Sequence, residues 1–299
     1  MTPYSVTVDS TTISAVLHQG PDRNSGYPLL VALHGGTYTS EYFNVAGSGA
    51  GSFVTVAVRN GFPVLTIDRP GYGASDQLPD AENTFARHAE LLDGVIADLL
   101  PRSGADTAVL VGHSIGGMIS LEIAARNPSW RLVGVSATGM GARLSGSGAA
   151  DQLAALPLTG LVDLPEAERD KVMFGPPGSY THDAMQAAHL SYAPVPAVEL
   201  SNAPAWPRQH VAAVAAKVSV PVHNMVGEFD ALWDSSAEAR ALFTEMFDGT
   251  VAVESEIVPE AGHAIDHHVL GAAVHLKQLS FAHKCAWLAS RETAAVPAS

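Results

Sequence analysis

The strongest structural signal in this chain is the stretch Val109-Leu110-Val111-Gly112-His113-Ser114-Ile115-Gly116-Gly117-Met118. An apolar run rich in β-branched residues ends at Gly112, and apolar residues at helical spacing follow from Ile115 to Arg126. The pattern predicts a buried strand that turns sharply into a helix, with Ser114 in the turn. Glycines two residues before and two residues after Ser114 permit a strained turn, which lifts the serine oxygen above the edge of a sheet.

The composition describes an ordered globular protein of 299 residues, with 47% hydrophobic and 15% charged residues. The net charge of −14 disfavours nucleic acid and anionic membranes as partners, because both are bound by basic patches. The N-terminal residues lack a signal-peptide pattern and no run reaches transmembrane length, so a cytoplasmic location is expected. Cys285 is the single cysteine, which excludes an intrachain disulfide and predicts a packing role.

Strand and helix patterns alternate through most of the chain. Residues 4–18 alternate polar and apolar side chains, which predicts two antiparallel strands. Further strands are predicted at 28–33, 63–67, 109–111, 131–137, 220–226 and 251–258. Helices are predicted at 50–60, 83–100 (stopped by Pro101), 115–126, 208–217, 235–247 and 266–289. Because parallel neighbours need long crossover connections, this order predicts a mostly parallel sheet with helices on both faces.

The alternation breaks between residues 139 and 207. This segment is rich in proline and glycine, contains short helical patterns at 164–173 and 181–190, and has no strand that fits the sheet. We interpret it as an inserted helical cap over the carboxyl ends of the strands, where ligands of open α/β sheets bind. The predicted organisation is therefore a core formed by 1–138 and 208–299, with the cap at 139–207.

Three polar residues follow predicted strands in the order Ser114, Asp230 and His263. A serine hydroxyl becomes a good nucleophile when a histidine takes its proton and a carboxylate orients that histidine. Parallel strands bring the loops at their carboxyl ends to one edge of the sheet. The sequence therefore predicts Ser114 as nucleophile, His263 as general base and Asp230 as the orienting carboxylate.

Each partner of the serine has a competitor. His267 and His268 are alternative bases, but they fall inside the predicted last helix, whereas His263 lies in a glycine-containing loop. Asp234 and Glu228 compete with the predicted aspartate, and either could instead cap or solvate the following helix. Residues 138–150 contain no carboxylate, which disfavours a triad acid after the preceding strand.

Acyl chemistry also needs hydrogen-bond donors for a developing oxyanion. The N–H of Ile115 is one candidate donor, and the N–H of Gly36 is the other, because a residue without a side chain permits close approach of the backbone. Thr37 is the second choice for that position. The residues predicted as candidate substrate contacts are Thr37, Tyr72 and His113.

A glycine-rich and proline-rich loop spans residues 68–75. We expect it to brace the site, with Arg69 pairing locally. Tyr72 is the residue of this loop that is expected to reach a ligand.

Five motifs, in this order, resemble the α/β-hydrolase superfamily. They are His34-Gly35-Gly36, Asp68-Arg69-Pro70-Gly71-Tyr72-Gly73-Ala74-Ser75, Gly112-His113-Ser114-Ile115-Gly116-Gly117, Gly227-Glu228-Phe229-Asp230 and Gly262-His263. The resemblance spans nearly the whole chain except the cap. It implies a mostly parallel eight-stranded sheet with Ser114, Asp230 and His263 as catalytic residues. A serine at the elbow argues against the members that use aspartate there, such as epoxide hydrolases and haloalkane dehalogenases.

The expected activity is cleavage of an ester, lactone or related acyl bond in a small hydrophobic substrate, without cofactor or metal. The predicted cap contains three cations, Arg143, Arg169 and Lys171, which favours an uncharged substrate over a phosphate-bearing thioester. Two alternatives remain open: C–C hydrolysis or a lyase or cyclase step on the same triad, and a ligand-binding protein without turnover. A homodimer is a candidate assembly.

Overall fold

The computed structural model describes residues 1–21, 24 and 26–295. Its main sheet contains eight strands: β1 (Thr2–Val8), β2 (Thr11–His18), β3 (Leu29–Leu33), β4 (Val64–Ile67), β5 (Ala108–His113), β6 (Leu132–Thr138), β9 (Val222–Gly227) and β10 (Val253–Val258). A separate pair of two-residue strands, β7 (Leu161–Val162) and β8 (Val195–Pro196), lies between β6 and β9 in sequence.

The strand order across the sheet is β1-β2-β4-β3-β5-β6-β9-β10. Strand β2 pairs antiparallel with both β1 and β4, whereas the pairs from β4 across to β10 are parallel. The central strands β3 and β5 are buried along their whole length, as expected for strands covered on both faces. The predicted α/β class and mostly parallel eight-stranded sheet are confirmed.

Six helices accompany the sheet: α1 (Phe53–Arg59), α2 (Phe85–Ser103), α3 (Ile115–Ala125), α9 (Val211–Ala215), α10 (Ala237–Glu245) and α11 (Gly271–Ala295). The segment between β6 and β9 adds α4 (Ala149–Ala154), α5 (Glu166–Met173), α6 (His182–Ser191), α7 (Ala197–Asn202) and α8 (Trp206–Gln209). Short 3-10 helices span Ser40–Asn44, Ala203–Ala205 and Ile265–His267. Among the residues described, no helix is both long enough and apolar enough to cross a bilayer.

Apolar side chains fill both faces of the sheet. Leu92 of α2 and Ile119 of α3 belong to the cluster on one face. Phe53 of α1 and Phe281 of α11 belong to the cluster on the other. Cys285 is buried in this second cluster, so it packs as predicted.

Most predicted helices differ from the structure by a few residues at their ends, and two of these differences have a clear physical cause. Helix α2 continues through Pro101 to Ser103 and is capped by Gly104, whose φ of 68° is left-handed. A proline in the last turn removes one hydrogen bond, which a long helix tolerates. The last helix begins at Gly271 rather than at 266, because the chain first forms the 3-10 turn Ile265–His267.

The turn between β5 and α3 depends on two glycines. Ser114 has a φ of 53°, a conformation that side chains rarely adopt. A Cβ atom on Gly112 would overlap the carbonyl oxygen of Gly116, and one on Gly116 would overlap the carbonyl oxygen of Leu33. The first turn of α3 therefore lies directly against the end of β3, and this contact requires glycine.

Substitution of Gly116 tests this contact. In Gly116→Ala the added methyl group would force α3 away from Leu33. We expect the free energy of unfolding, measured by urea denaturation, to fall by at least about 2 kcal/mol. Gly249→Ala is the matched control, because a Cβ there meets nothing within 4 Å. Equal losses in the two variants would contradict the proposed close approach.

Candidate active site

Three loops at the carboxyl ends of the parallel strands bring Ser114, Asp230 and His263 together. The Oγ of Ser114 lies 2.9 Å from Nε2 of His263. Nδ1 of the same ring lies 2.9 Å from Oδ2 of Asp230. All three residues are buried. Because the carboxylate accepts a hydrogen bond from the Nδ1–H group, Nε2 is left to accept the serine hydroxyl proton, so the arrangement can activate the serine oxygen.

The carboxylate of Asp230 is held by the backbone as well as by the histidine. Its Oδ1 accepts the N–H of Leu232 at 2.8 Å and the N–H of Trp233 at 3.1 Å. Both donors lie in the loop that follows β9, so this loop helps to orient the carboxylate toward the histidine.

The residues considered as alternatives to Asp230 and His263 make other contacts. Asp234 pairs with Arg143 and caps the turn at Ser236, and the side chain of Glu228 accepts the N–H of Glu260. His267 packs in the core with its Nε2 3.1 Å from the carbonyl oxygen of Tyr42.

Burial lowers the pKa of His267 to about 4. The pKa of His268 is also lowered by burial. Nδ1 of His268 accepts the N–H of Leu270. Both histidines precede α11 instead of lying inside it, and neither contacts the serine.

The loop after β3 approaches the serine closely. A Cβ atom on Gly35 would lie 3.0 Å from Cβ of Ser114. A Cβ on Gly36 would lie 2.7 Å from Leu200, so this position also favours glycine. The backbone N–H groups of Gly36 and Ile115 have no hydrogen-bond partner among the described residues. Both residues line the cavity described below, where two free donors could bind an oxyanion.

His34 shapes this loop as an uncharged ring. Its Nε2 accepts the backbone N–H of Arg69 at 3.1 Å, and its Nδ1 donates to the carbonyl oxygen of Gly35 at 2.8 Å. Burial lowers the pKa of His34 well below its ordinary value, and the charge of Arg69 lowers it further. The loop is therefore fixed without a charge on the imidazole.

The structure corrects the assignment of His113 as a substrate contact. Its ring stacks on Tyr42 with centroids 4.4 Å apart and lies 4.9 Å from the ring of His263. It is buried and is not among the residues that line the cavity over Ser114. Burial lowers the pKa of His113 well below its ordinary value, and the adjacent His263 lowers it further. A neutral ring here adds no positive charge beside His263.

A cavity opens over Ser114, and the empty space within it and in the open solvent at its mouth totals about 640 Å³. The core contributes Thr37, Ile115, Met118 and Trp233 to its wall, beside the serine and His263. The segment between β6 and β9 contributes mostly apolar side chains, among them Leu144, Leu153, Leu164, Val172, Met173 and Leu200. The space next to the serine is therefore predominantly apolar.

The prediction that Arg69 pairs locally was wrong. Arg69 pairs with Glu199, which lies 130 residues later in the sequence. Its Nη1 and Nη2 donate to the two carboxylate oxygens of Glu199 in α7 at 2.7 and 2.9 Å, with both side chains fully buried. Tyr72 donates its hydroxyl to the same carboxylate at 2.7 Å. Burial acts to raise the pKa of Glu199, but the pairing with Arg69 outweighs it and leaves that pKa below its ordinary value.

This network also corrects the role expected for Tyr72. Its hydroxyl is used by Glu199 and the residue does not line the cavity. The loop 68–75 thus contacts the segment between β6 and β9 through Tyr72 and Arg69. A second connection joins that segment to the loop after β3, since Ala193 donates its N–H to the carbonyl oxygen of Thr37 at 2.9 Å.

A sequence model described as "Alpha/beta hydrolase family" matches residues 30–274. The chain belongs to this family. Esterase Rv0045c of Mycobacterium tuberculosis is 34% identical over 34% of the chain and 29% of its own length. The 2-hydroxymuconate semialdehyde hydrolase of Pseudomonas putida is 33% identical over 36% of the chain and 34% of its own length. The chain thus matches about a third of the length of these hydrolase relatives.

Solved structures of hydrolases share the fold over nearly the whole chain. E-2-(Acetamidomethylene)succinate hydrolase has a TM-score of 0.68 at 21% identity, covering 94% of this chain and 98% of that chain. A thermophilic esterase from Thermogutta terrifontis has a TM-score of 0.65 at 18% identity, covering 95% and 99%. At these identities the likeness shows the fold alone.

Sequence reasoning missed two residues of the site. Glu199 carries no motif, and its partner lies far away in sequence. Trp233 lines the cavity and holds Asp230 through its backbone, and its position three residues after that aspartate was the available signal.

Glu199→Gln tests the buried charge pair. The variant leaves the guanidinium of Arg69 buried without a balancing charge, so we expect the free energy of unfolding to fall by about 3–5 kcal/mol. Urea denaturation measures this. Glu254→Gln, which breaks the exposed pair with Lys284, is expected to cost less than about 1 kcal/mol. A small loss in Glu199→Gln would contradict the role given to this pair.

Proposed function

We propose that the protein is a cofactor-free serine hydrolase that cleaves an ester, lactone or related acyl bond of a small, mostly uncharged hydrophobic substrate. The observation that carries the proposal is the hydrogen-bonded line from Asp230 through His263 to Ser114, which ends at an apolar cavity. Geometry of this kind supplies both a nucleophile and a base for acyl transfer.

In the first half of the reaction, Nε2 of His263 takes the hydroxyl proton of Ser114 while Oγ attacks the scissile carbonyl carbon. The carbonyl electron pair moves onto oxygen, and the N–H groups of Gly36 and Ile115 stabilise the resulting oxyanion. The ionised carboxylate of Asp230 stabilises the imidazolium. When the intermediate collapses, the protonated histidine gives its proton to the leaving alcohol, and an acyl-serine remains.

In the second half, water replaces the alcohol. His263 removes a proton from water, whose oxygen attacks the acyl carbon. The second oxyanion is bound by the same two N–H groups, and the returning proton restores the hydroxyl of Ser114 as the acid leaves. Each step is a proton transfer or an acyl transfer, so the residues named here suffice.

We further propose that residues 139–207 act as a cap that selects the substrate. Support comes from the apolar side chains that this segment adds to the cavity and from its attachment to the core through Glu199 and Ala193. Of its cations, Arg143 pairs with Asp234 and Lys171 with Glu168. An apolar wall of this kind favours an uncharged hydrocarbon portion over a phosphate group.

A second candidate is C–C bond hydrolysis on the same three residues, favoured by the match to the semialdehyde hydrolase of Pseudomonas putida. The match to Esterase Rv0045c of Mycobacterium tuberculosis favours the ester reaction instead. A panel of p-nitrophenyl esters distinguishes the two reactions. Hydrolysis that depends on Ser114 favours the ester reaction, whereas no turnover on any ester favours the C–C reaction.

A fluorophosphonate probe tests the activation of Ser114 without a known substrate. We expect one adduct on Ser114, identified by mass spectrometry of peptides, because a hydroxyl paired with His263 is nucleophilic. Ser114→Ala should abolish labelling, while Ser290→Ala, which alters a serine on α11 outside the site, should label as the wild type does. Equal labelling of wild type and Ser114→Ala would overturn the proposed function.

Asp230→Asn tests the orienting carboxylate. We expect kcat for p-nitrophenyl butyrate to fall about 10³–10⁴-fold, because an amide does not hold the imidazole in the required tautomer. Asp234→Asn is the matched control, since Asp234 pairs with Arg143, and its kcat should change less than about threefold. A larger loss of kcat in Asp234→Asn than in Asp230→Asn would show that Asp234, and not Asp230, orients His263.

A further inference from the structure

The guanidinium of Arg69 has a hydrogen-bond acceptor for each of its five N–H bonds. Nε donates to the carbonyl oxygen of His34 at 2.8 Å, and Nη2 donates to the carbonyl oxygen of Gly35 at 3.0 Å. The two carboxylate oxygens of Glu199 accept one N–H from Nη1 and one from Nη2. The second N–H of Nη1 is available to Nδ1 of His88, 3.3 Å away. Five acceptors around a planar group fix its orientation.

His88 can accept a hydrogen bond because its ring is neutral. Its Nε2 lies 2.8 Å from Oδ1 of Asn83, which is an acceptor, so Nε2 carries the proton and Nδ1 does not. Burial lowers the pKa of His88 to about 3. The side chains of Arg69, Glu199 and His88 are all fully buried, so water does not compete for these bonds.

The carbonyl of Gly35 belongs to the same peptide unit as the N–H of Gly36. That unit is planar and trans, so the N–H points away from the carbonyl oxygen and its direction follows from that of the carbonyl. The carbonyl oxygen accepts hydrogen bonds from Nη2 of Arg69 at 3.0 Å and from Nδ1 of His34 at 2.8 Å. The N–H on the opposite side has no partner among the described residues, and Gly36 lines the cavity over Ser114. Hydrogen bonds to the carbonyl therefore determine where this N–H points.

The glycines on both sides of this peptide make such anchoring necessary. A Cβ on Gly35 would lie 3.0 Å from Cβ of Ser114, and one on Gly36 would lie 2.7 Å from Leu200, so both positions favour glycine. Glycine also has the freest backbone rotation of all residues. Rotation of the peptide between Gly35 and Gly36 by half a turn would exchange the positions of its N–H and its carbonyl oxygen. The hydrogen bonds from Arg69 and His34 oppose this rotation.

We propose that Arg69 is a positioning residue, which holds the carbonyl of Gly35 so that the N–H of Gly36 faces the oxyanion. Glu199 fixes the guanidinium in turn. This inference rests on the proposed function and gives the segment 139–207 a part in catalysis as well as in substrate selection. A charged donor also polarises the carbonyl, which strengthens the N–H of the same peptide as a donor.

A thionoester distinguishes this role from a general loss of structure. In O-(p-nitrophenyl) thionobutyrate, sulfur replaces the carbonyl oxygen of p-nitrophenyl butyrate, and sulfur is the weaker hydrogen-bond acceptor. The ratio of kcat/KM for the oxygen ester to kcat/KM for the thionoester therefore reports how well the N–H donors stabilise the oxyanion. Damage to the triad lowers both rates together and leaves this ratio near its wild-type value.

Two substitutions remove the hydrogen bond to Gly35 in different ways. Arg69→Lys keeps a positive charge beside Glu199, but an ammonium group cannot reproduce the planar set of bonds. Arg69→Met combined with Glu199→Leu removes both charges, so no buried charge is left unpaired. Urea denaturation shows whether each variant folds, and either one is sufficient for the test.

In these variants we expect kcat for p-nitrophenyl butyrate to fall about tenfold. This loss is smaller than the roughly 10²–10³-fold loss for a missing oxyanion donor, because His34 still holds the carbonyl. The ratio of oxygen ester to thionoester should fall at least about threefold, because the thionoester depends less on the misplaced N–H.

Tyr72→Phe is the matched control, because it removes a hydrogen bond to Glu199 from the same cluster and leaves the bond from Arg69 to Gly35 in place. Its ester ratio should stay within about twofold of the wild-type ratio. Asp230→Asn is the comparison for the triad, and we expect it to lower kcat while the ester ratio is retained.

An ester ratio that is unchanged in the folded Arg69 variants would overturn the proposal, as would an equal fall in Tyr72→Phe. Fluorophosphonate labelling of Ser114 and hydrolysis of p-nitrophenyl butyrate by the wild type report on the proposed function separately. A labelled, active wild type whose ester ratio does not depend on Arg69 would refute this inference alone. A wild type that is neither labelled nor active would refute the proposed function and this inference with it.

Discussion

A backbone contact that only glycine permits holds Ser114 above the sheet. The first turn of α3 lies against the end of β3 because Gly116 has no Cβ to meet the carbonyl oxygen of Leu33. This proximity forces the turn between β5 and α3, and Ser114 adopts a left-handed φ of 53°. Such a conformation costs about 1 kcal/mol or more and persists because the packed sheet and helix leave no alternative. The hydroxyl and the N–H of Ile115 consequently border the same cavity.

The second constraint is electrostatic. Two opposite charges removed from water are stable together only when the geometry is good and the remaining polar atoms are satisfied. Arg69 and Glu199 meet this condition through two parallel hydrogen bonds and the hydroxyl of Tyr72. The pair attaches α7 to the core, so it also places Leu200 in the cavity wall. With His113 and His34 held neutral by burial, the imidazole of His263 faces Asp230 without a competing charged ring.

Much of the fold was predictable because its signals are local. A buried parallel strand is a continuous apolar run, and the turns that follow such strands are marked by glycine, so the strands and the elbow at Ser114 were located correctly. The prediction failed where local rules have exceptions: Pro101 lies inside the last turn of α2, and the chain forms a 3-10 turn at Ile265–His267 before α11 begins. The sequence placed Asp230 and His263 after strands, and the sheet topology brought those loops to one edge.

The amino-acid sequence by itself determined the class of the fold, the strained turn, and the order of serine, aspartate and histidine, because turn conformation and the periodicity of apolar residues are set by residues close along the chain. The tertiary structure alone decided the partner of Arg69, the hydrogen bond from Tyr72 to Glu199, and the place of Trp233 in the cavity wall. The partner of a buried charge is the group that lies nearest to it in space. For Arg69 that group is the carboxylate of Glu199, 130 residues away in the sequence.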